Sequence, residues 1–574
     1  MLLVATACSA GSGGCGFFGS SDGRTTSAPV NSWPALANRF VEDYFKAQPA
    51  FAVSSGRHEY DGKLPDWSGT GLQAESARLK TIRQEAEAVL PASLDAAQQL
   101  EREHVLAIAD ADLFWLEKAQ SPYRNPAWYL DDLDPDVYLS REYAPLDQRM
   151  RAYIAYANAI PAAAAQIRTN MRTPLAKSLV ERAISGFGGY ADFYREDVPK
   201  VFASITDTQL QSDFDTANAA AAKAMDDLKA WFESQRNTAT GDFALGPDLF
   251  AEMLLDTERV TVPLDTLEAA GRADLARNQA ALTDACAKYL PGGTVNACIE
   301  KAEAHKPAGG AVPAARAMLD DLRGFIREQD LVTIPNDEQA RVAEAPPYNR
   351  ANTAYINVPG PYDIGMPSTY YVAPPDPKWS AKERAAYVPG IANLTYVTIH
   401  EVWPGHFLQF LHTNRTKSIG SIFVGYAYAE GWAHYAEELM WEAGYGNGDP
   451  EQHVGQLMNA LLRDVRFLSA IGLHTHGMTL EQSEQMFRDD AHANPGTARQ
   501  QAARGTYDPA YLNYTLGKLM IRKLRTDWMK ANNRRDPPAS PSGWKDFHDA
   551  FLSHGGMPVP LVRRALLKDD SAPL

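Results

Sequence analysis

Ile399-His400-Glu401-Val402-Trp403-Pro404-Gly405-His406-Phe407 is the stretch on which the reading of this chain turns, and Gly425-Tyr426-Ala427-Tyr428-Ala429-Glu430-Gly431-Trp432-Ala433-His434-Tyr435-Ala436-Glu437 follows it. Two histidines, a glutamate beside the first and a second acidic cluster downstream are the residue types of a zinc hydrolase. Zinc takes three protein ligands from His and Glu and keeps a fourth position open, where it lowers the pKa of water. A carboxylate beside a ligand can then accept a proton, as in the H-E-x-x-H helix. The spacing differs from that motif. There the histidines stand at i and i+4, one turn apart on one helix face. Here the second is at i+6, which on a straight helix points roughly 120° away from the first. Pro404 lacks an N–H and clashes with the preceding turn, so it breaks or bulges such a helix. The expectation is a bulge at Pro404-Gly405 that turns both imidazoles toward one ion.

His400-Glu401-Val402-Trp403-Pro404-Gly405-His406-Phe407-Leu408-Gln409, with Ala429-Glu430-Gly431-Trp432-Ala433-His434-Tyr435-Ala436-Glu437, resembles the bacterial "domain of unknown function 885" family and its H-E-x-x-P-G-H-x-L-Q and E-G-W-A-x-Y-x-E signatures. That family is similar to the helical gluzincin zinc metallopeptidases. The resemblance implies a mainly α, gluzincin-like fold with a small β-sheet beside the active site. It also implies Zn2+ held by His400, His406 and Glu430, with Glu401 as general base. The residues themselves leave the third ligand open, because Glu430, His434 and Glu437 stand at i, i+4 and i+7 on one helical face. Glu437 is alternatively a hydrogen-bond partner of a ligand histidine, and Glu438, one position round, is expected to be solvated.

The chain has 574 residues, enough for two to four domains, and a net charge of −16 that argues against nucleic acid or an anionic membrane as partner. No apolar run reaches the 18 residues of a membrane-spanning helix. Met1 to Ala7 is a short apolar run before Cys8, followed by small residues to about Ser27. This resembles the end of a lipoprotein signal with Cys8 as the lipidated residue and Cys15 as a weaker candidate. The basic n-region is missing and the apolar run is short, which a start site placed too far downstream explains. The expected setting is therefore exported, periplasmic or cell-envelope, with membrane contact only through that lipid. Cys286 and Cys298 flank the turn Leu290-Pro291-Gly292-Gly293, and export favours a disulfide between them.

Residues 1–30 are expected to stay outside the fold, 31–330 to form an N-terminal helical region and 331–574 a zinc-binding catalytic region packed with it as one unit. Helical periodicity begins at Ser32-Trp33-Pro34 and dominates the N-terminal half. Gln148 to Met171 reads as two helices split by Pro161. Gly186-Phe187-Gly188-Gly189-Tyr190 reads as an interruption, either a close backbone crossing or a loop. Near Val332 the texture changes, and Tyr355–Val358 and Thr369–Val372 read as edge strands. The resemblance implies that such an edge lies beside bound peptide, with Tyr371 as a substrate contact.

Downstream, Arg463, Arg466, His474, Arg504, Tyr507 and Tyr514 are candidate substrate and transition-state groups, since a tyrosine hydroxyl or protonated histidine can stabilise a tetrahedral oxyanion. Of these, Tyr514 and His474 are the expected catalytic partners of Glu401, and Arg504 and Tyr507 the expected substrate contacts. The reading is a zinc-dependent hydrolase of peptide bonds, with a peptide as partner. An amidase acting on a non-peptide or cell-wall amide is the alternative within enzymes. A zinc-holding binding protein without catalysis is the alternative outside them, and Glu401 beside His400 speaks against it, because a structural site has no need of a base.

Overall fold

The computed structural model describes residues 32–346, 350, 354–375, 380–416 and 418–574. Cys8 and Cys15, with the rest of the 1–30 tail, lie outside the described residues. The fold is mainly α, with one small sheet.

The N-terminal part starts with α1 (Trp33–Ala47), which carries Pro near its first position and buries Trp33, Leu36, Phe40 and Phe45. Its core is built around α2 (Leu146–Asn170), α3 (Lys177–Glu196) and α4 (Thr208–Gln235). Two expectations are corrected here. Helix α2 runs unbroken through Pro161. Helix α3 runs through Gly186, Gly188 and Gly189, although each interior glycine costs about 1 kcal/mol against alanine. Close packing outweighs that cost. A methyl on Gly186 would meet Leu130 at 2.8 Å, and Phe187 between the glycines stacks on Phe232 of α4 with ring centroids 5.6 Å apart.

A second core begins at about Phe250 and includes α5 (Leu264–Tyr289) and α6 (Val295–Ala304). Cys286 of α5 and Cys298 of α6 are bonded across the turn, with Cα atoms 5.6 Å apart. Apart from a few side chains such as Phe114, the two cores part between Phe232 and Phe250, well before the textural change near residue 330.

The sheet comprises β1 (Arg341–Glu344), β2 (Ala354–Asn357) and β3 (Thr369–Val372) in the order β1-β3-β2, parallel on one side and antiparallel on the other. Thus β3 is the central strand, not an edge. The partner that makes it central, β1, reads Arg-Val-Ala-Glu and carries little strand signal. The Tyr370 ring of β3 is fully buried, and its hydroxyl lies 3.3 Å from Thr398 Oγ1, which docks the sheet on the next helix.

That helix is α7 (Ile391–Glu401), followed by α8 (His406–Thr413), α9 (Tyr426–Glu442), α10 (Pro450–Thr475), α11 (Pro495–Tyr507), α12 (Asn513–Ala531) and α13 (Lys545–Leu552). α10 packs on both α5 and α7, and α9 lies along α12. The α9–α12 approach requires two facing glycines: a methyl on Gly431 would meet Gly517 Cα at 2.5 Å, and one on Gly517 would meet the Ala427 carbonyl at 2.0 Å.

Candidate metal centre

The expected bulge is a full break. Helix α7 ends at Glu401 and α8 restarts at His406, with Val402 out of helical geometry and a cis peptide before Pro404. Gly405 is tucked back against the end of α7: its N–H donates to the Ile399 carbonyl, and a methyl there would meet the His400 carbonyl oxygen at 1.8 Å. The indole N–H of Trp432 in α9 donates to the Pro404 carbonyl at 2.8 Å, fixing the connection from across the site. The two histidines therefore sit on separate helices, with rings 4.8 Å apart and nearly perpendicular.

α9 brings Glu430 between them. Its Oε2 lies 3.2 Å from His400 Nε2 and 3.4 Å from His406 Nε2, close to both but without hydrogen-bond geometry to a donor. Ligands at roughly 2.0–2.2 Å from a tetrahedral zinc stand about 3.3–3.6 Å from one another. The Glu430 separations, 3.2 and 3.4 Å, lie within or just below that range, and two histidines with one glutamate are a donor set zinc accepts. Among the described residues this is the one cluster of His, Cys, Asp and Glu able to hold an ion, its ligand atoms all within 4.8 Å of each other.

The other nitrogen of His400 is also held. Nδ1–H donates to Glu437 Oε1 at 2.7 Å, which leaves Nε2 as the nitrogen able to take a metal. Glu437, buried completely, is paired in turn with Arg463 at 3.1 Å. Among the protein groups alone, burial disfavours the His400 cation and Arg463 repels it, but Glu430 and Glu437 outweigh both and lift its pKa to about 9. Burial would raise Glu430, but His406 and His400 hold it well below the usual carboxylate range. Glu401, at the end of α7 and partly exposed, is raised by burial, against the pull of His400 and His406.

Tyr514 of α12 is 9% exposed and stacks at 6.2 Å from the His400 ring. Burial and the nearby Glu430 raise its pKa, so the phenol keeps its proton. Around its ring stand Arg466 at 4.8 Å, Arg463 at 5.7 Å and Arg504 at 5.8 Å. Arg504 is thus brought to the site, tied to Asp508 and to the Tyr426 hydroxyl.

Other expected residues go elsewhere. His474 has both nitrogens engaged by backbone, Nε2–H donating to the Gly505 carbonyl and Nδ1 accepting the Leu245 N–H. Burial pushes its pKa down to about 4, so it is a neutral, satisfied core histidine rather than a proton donor. Tyr507 lies under the Arg182 guanidinium, and its carbonyl accepts from Asn125. Tyr371 packs on Tyr355, and alternation along β3 turns it away from the face on which Tyr370 reaches α7. Glu438 is not solvated: it is 6% exposed and paired with Arg277 and Arg522.

Two buried groups escaped the sequence reading. Lys518, fully buried, is paired with Asp274 and lies 3.8 Å from both Asp464 and Glu438, beneath the α9 segment that carries Glu437. Glu258, raised to about 8 by burial, accepts from the Ala427 N–H and from Asn513, joining the starts of α9 and α12. The available signal for Lys518 was a charged cluster, Arg463-Asp464-Val465-Arg466, set between the apolar segments of α10, and the position of Lys518 just after Gly517.

Residues 49–566 match the family model described as bacterial protein of unknown function (DUF885), and the chain belongs to that family. Two solved structures share the fold. One is a candidate lipoprotein of unknown function from Shewanella oneidensis, 24% identical, TM-score 0.77, covering 93% of this chain and 100% of that one. The other is a candidate lipoprotein from Colwellia psychrerythraea, 20% identical, TM-score 0.75, covering 94% of this chain and 99% of that one. No curated protein matches the chain.

Proposed function

We propose that this member of the family is a zinc-dependent hydrolase of peptide bonds. The observation that carries the reading is the convergence of His400 Nε2, His406 Nε2 and Glu430 Oε2 beside a glutamate, Glu401, that is not one of the three. Zinc held there would act as a Lewis acid on a substrate carbonyl and on water. The protein's own residues supply the rest. The Glu401 carboxylate takes a proton from the attacking water and returns it to the leaving amine, and burial makes it the stronger base for the first transfer. Tyr514 keeps its phenolic proton and can donate a hydrogen bond to the carbonyl oxygen as that oxygen becomes an anion. Glu437, backed by Arg463, holds the His400 ring in one orientation and one tautomer.

Glu401→Gln keeps the side-chain shape and removes the proton acceptor. Zinc content should stay near one equivalent while peptide hydrolysis falls by about 10²–10⁴-fold. A variant that cleaves at the wild-type rate would refute Glu401 as the base.

The same proposal assigns the protein to the cell envelope, lipid-modified at Cys8. Both compared structures are of candidate lipoproteins, and the Cys286–Cys298 disulfide suits an oxidising compartment. No described helix is long and apolar enough to cross a membrane.

A further inference from the structure

Three guanidiniums surround Tyr514, and two are already spent. Arg463 is paired with Glu437 and also donates to the Asn459 carbonyl. Arg504 donates to Asp508 and to the Tyr426 hydroxyl. Arg466 differs. Among the described residues its one hydrogen bond runs from Nε to Gln501 Oε1 at 2.7 Å, and it has no carboxylate partner. Its side chain is nonetheless buried, the residue only 9% exposed, in a neighbourhood made more positive by the other two arginines. A buried cation without a counter-charge is costly. The terminal nitrogens of its fork have the geometry to take a carboxylate through two parallel hydrogen bonds.

The direction of Arg466 says which carboxylate. It lies three residues beyond Arg463 on α10, so one turn along the same helix face. Its guanidinium stands 4.8 Å from the centre of the Tyr514 ring, and the His400 ring lies 6.2 Å from that same centre. The unpaired cation is therefore no farther from the His400 ring than those two distances combined. That distance is spanned by at most about three residues of extended peptide, at roughly 3.3–3.6 Å each.

We propose that Arg466 is the recognition residue for the free C-terminal carboxylate of the substrate, which makes the protein a peptidase that removes one to three residues from peptide C-termini. The inference rests on the peptidase reading above for the cleavage step but not for the binding step. Binding and cleavage can be read separately.

The binding arm uses the full-length protein and three probes: an N-acetylated dipeptide as free acid, the same dipeptide amidated at its C-terminus, and an amidated dipeptide in which one residue is replaced by glutamate. Calorimetry should show the free acid binding at least tenfold tighter than either amide. That advantage should be lost in Arg466→Ala and reduced in Arg466→Lys, which keeps the charge but not the fork. If the glutamate amide binds as well as the free acid, the carboxylate belongs to an acidic side chain, and the C-terminal assignment is overturned. Metal content and melting temperature guard against misfolding. Removing an unpaired buried cation should leave both near wild type, and if Arg466→Ala fails that check, Arg466→Lys carries the comparison.

The cleavage arm uses longer peptides as acid and amide. Wild type should prefer the acid by about 10²-fold in kcat/KM, with products one to three residues long, and Arg466→Ala should bring that ratio to near one. Equal cleavage of acid and amide by wild type overturns the carboxylate assignment and leaves the peptidase reading intact. Selective binding through Arg466 with no cleavage of any peptide does the reverse.

Discussion

Glu430 and His434 sit one helical turn apart on α9, and from sequence either could complete the metal site. Glu430 Oε2 reaches both His400 and His406, whereas the His434 ring is fully buried with its nearest carboxylate, Glu437, at 3.5 Å. Burial pushes the His434 pKa down to about 3, as expected of a neutral imidazole packed beneath the site. Glu430→Ala should therefore abolish stoichiometric zinc binding, and His434→Ala should retain most of it. Metal analysis of the two purified variants giving the reverse order would move the third ligand one turn along the helix. At this scale the sequence was most informative about which side chains meet: the convergence of His400, His406 and Glu430 and the contact of Glu437 with His400 were legible. It misled where a histidine or tyrosine could equally serve the core. His474 carries the residue type of a transition-state donor, but only its tertiary partners, two backbone groups far apart in sequence, reveal that both nitrogens are occupied.

Among the elements, the α7–α8 break does the decisive work. An i+6 spacing cannot converge on a straight helix, and the chain solves this by ending one helix and starting another with Gly405 pressed against the last turn of the first. Gly405→Ala should force that contact apart, since the added methyl would lie 1.8 Å from a backbone oxygen that cannot swing away. The expected cost is about 1–3 kcal/mol or more in a denaturant titration, with weakened zinc binding because His406 loses its aim. A variant with wild-type stability and zinc affinity would show that the tight junction is not what aims His406. Pro404-Gly405 announced a distortion in the sequence, yet not its form, because a bulge and a break use the same local chemistry. The reading of the 186–190 glycines failed for the opposite reason. Local propensity there is weak, and packing against Leu130 and Phe232 overrides it. Likewise, β3 was legible as a strand but not as a central one, since its neighbour β1 has no strand-like composition of its own.

The whole molecule is held across its length by buried polar ties that bring distant segments together. His548 of α13 is one: its Nδ1–H donates to the Leu331 carbonyl, and its Nε2 accepts from Tyr435 of α9. Burial depresses its pKa from 6.5 to about 3, so the unfolded chain takes up the proton first as pH falls. The stability it contributes is therefore complete above about pH 6.5 and is lost progressively down to about pH 3. His548→Gln preserves a donor and an acceptor without titrating. The stability advantage of wild type over this variant should shrink by about 1.4 kcal/mol for each pH unit below 6.5, followed by chemical denaturation at several pH values. A constant difference would mean that His548 takes up its proton over the same pH range in the folded protein as in the unfolded chain.

In the intact protein, one zinc ion at His400, His406 and Glu430 is proposed to turn a helical scaffold into a peptidase. Metal-free protein can be titrated with zinc while cleavage of a mixed peptide library is followed by mass spectrometry. Hydrolysis should be absent without metal, rise in proportion to added zinc and level off at one equivalent. Undiminished cleavage by the metal-free protein, or no cleavage of any peptide at one bound equivalent, would refute a zinc-dependent peptidase.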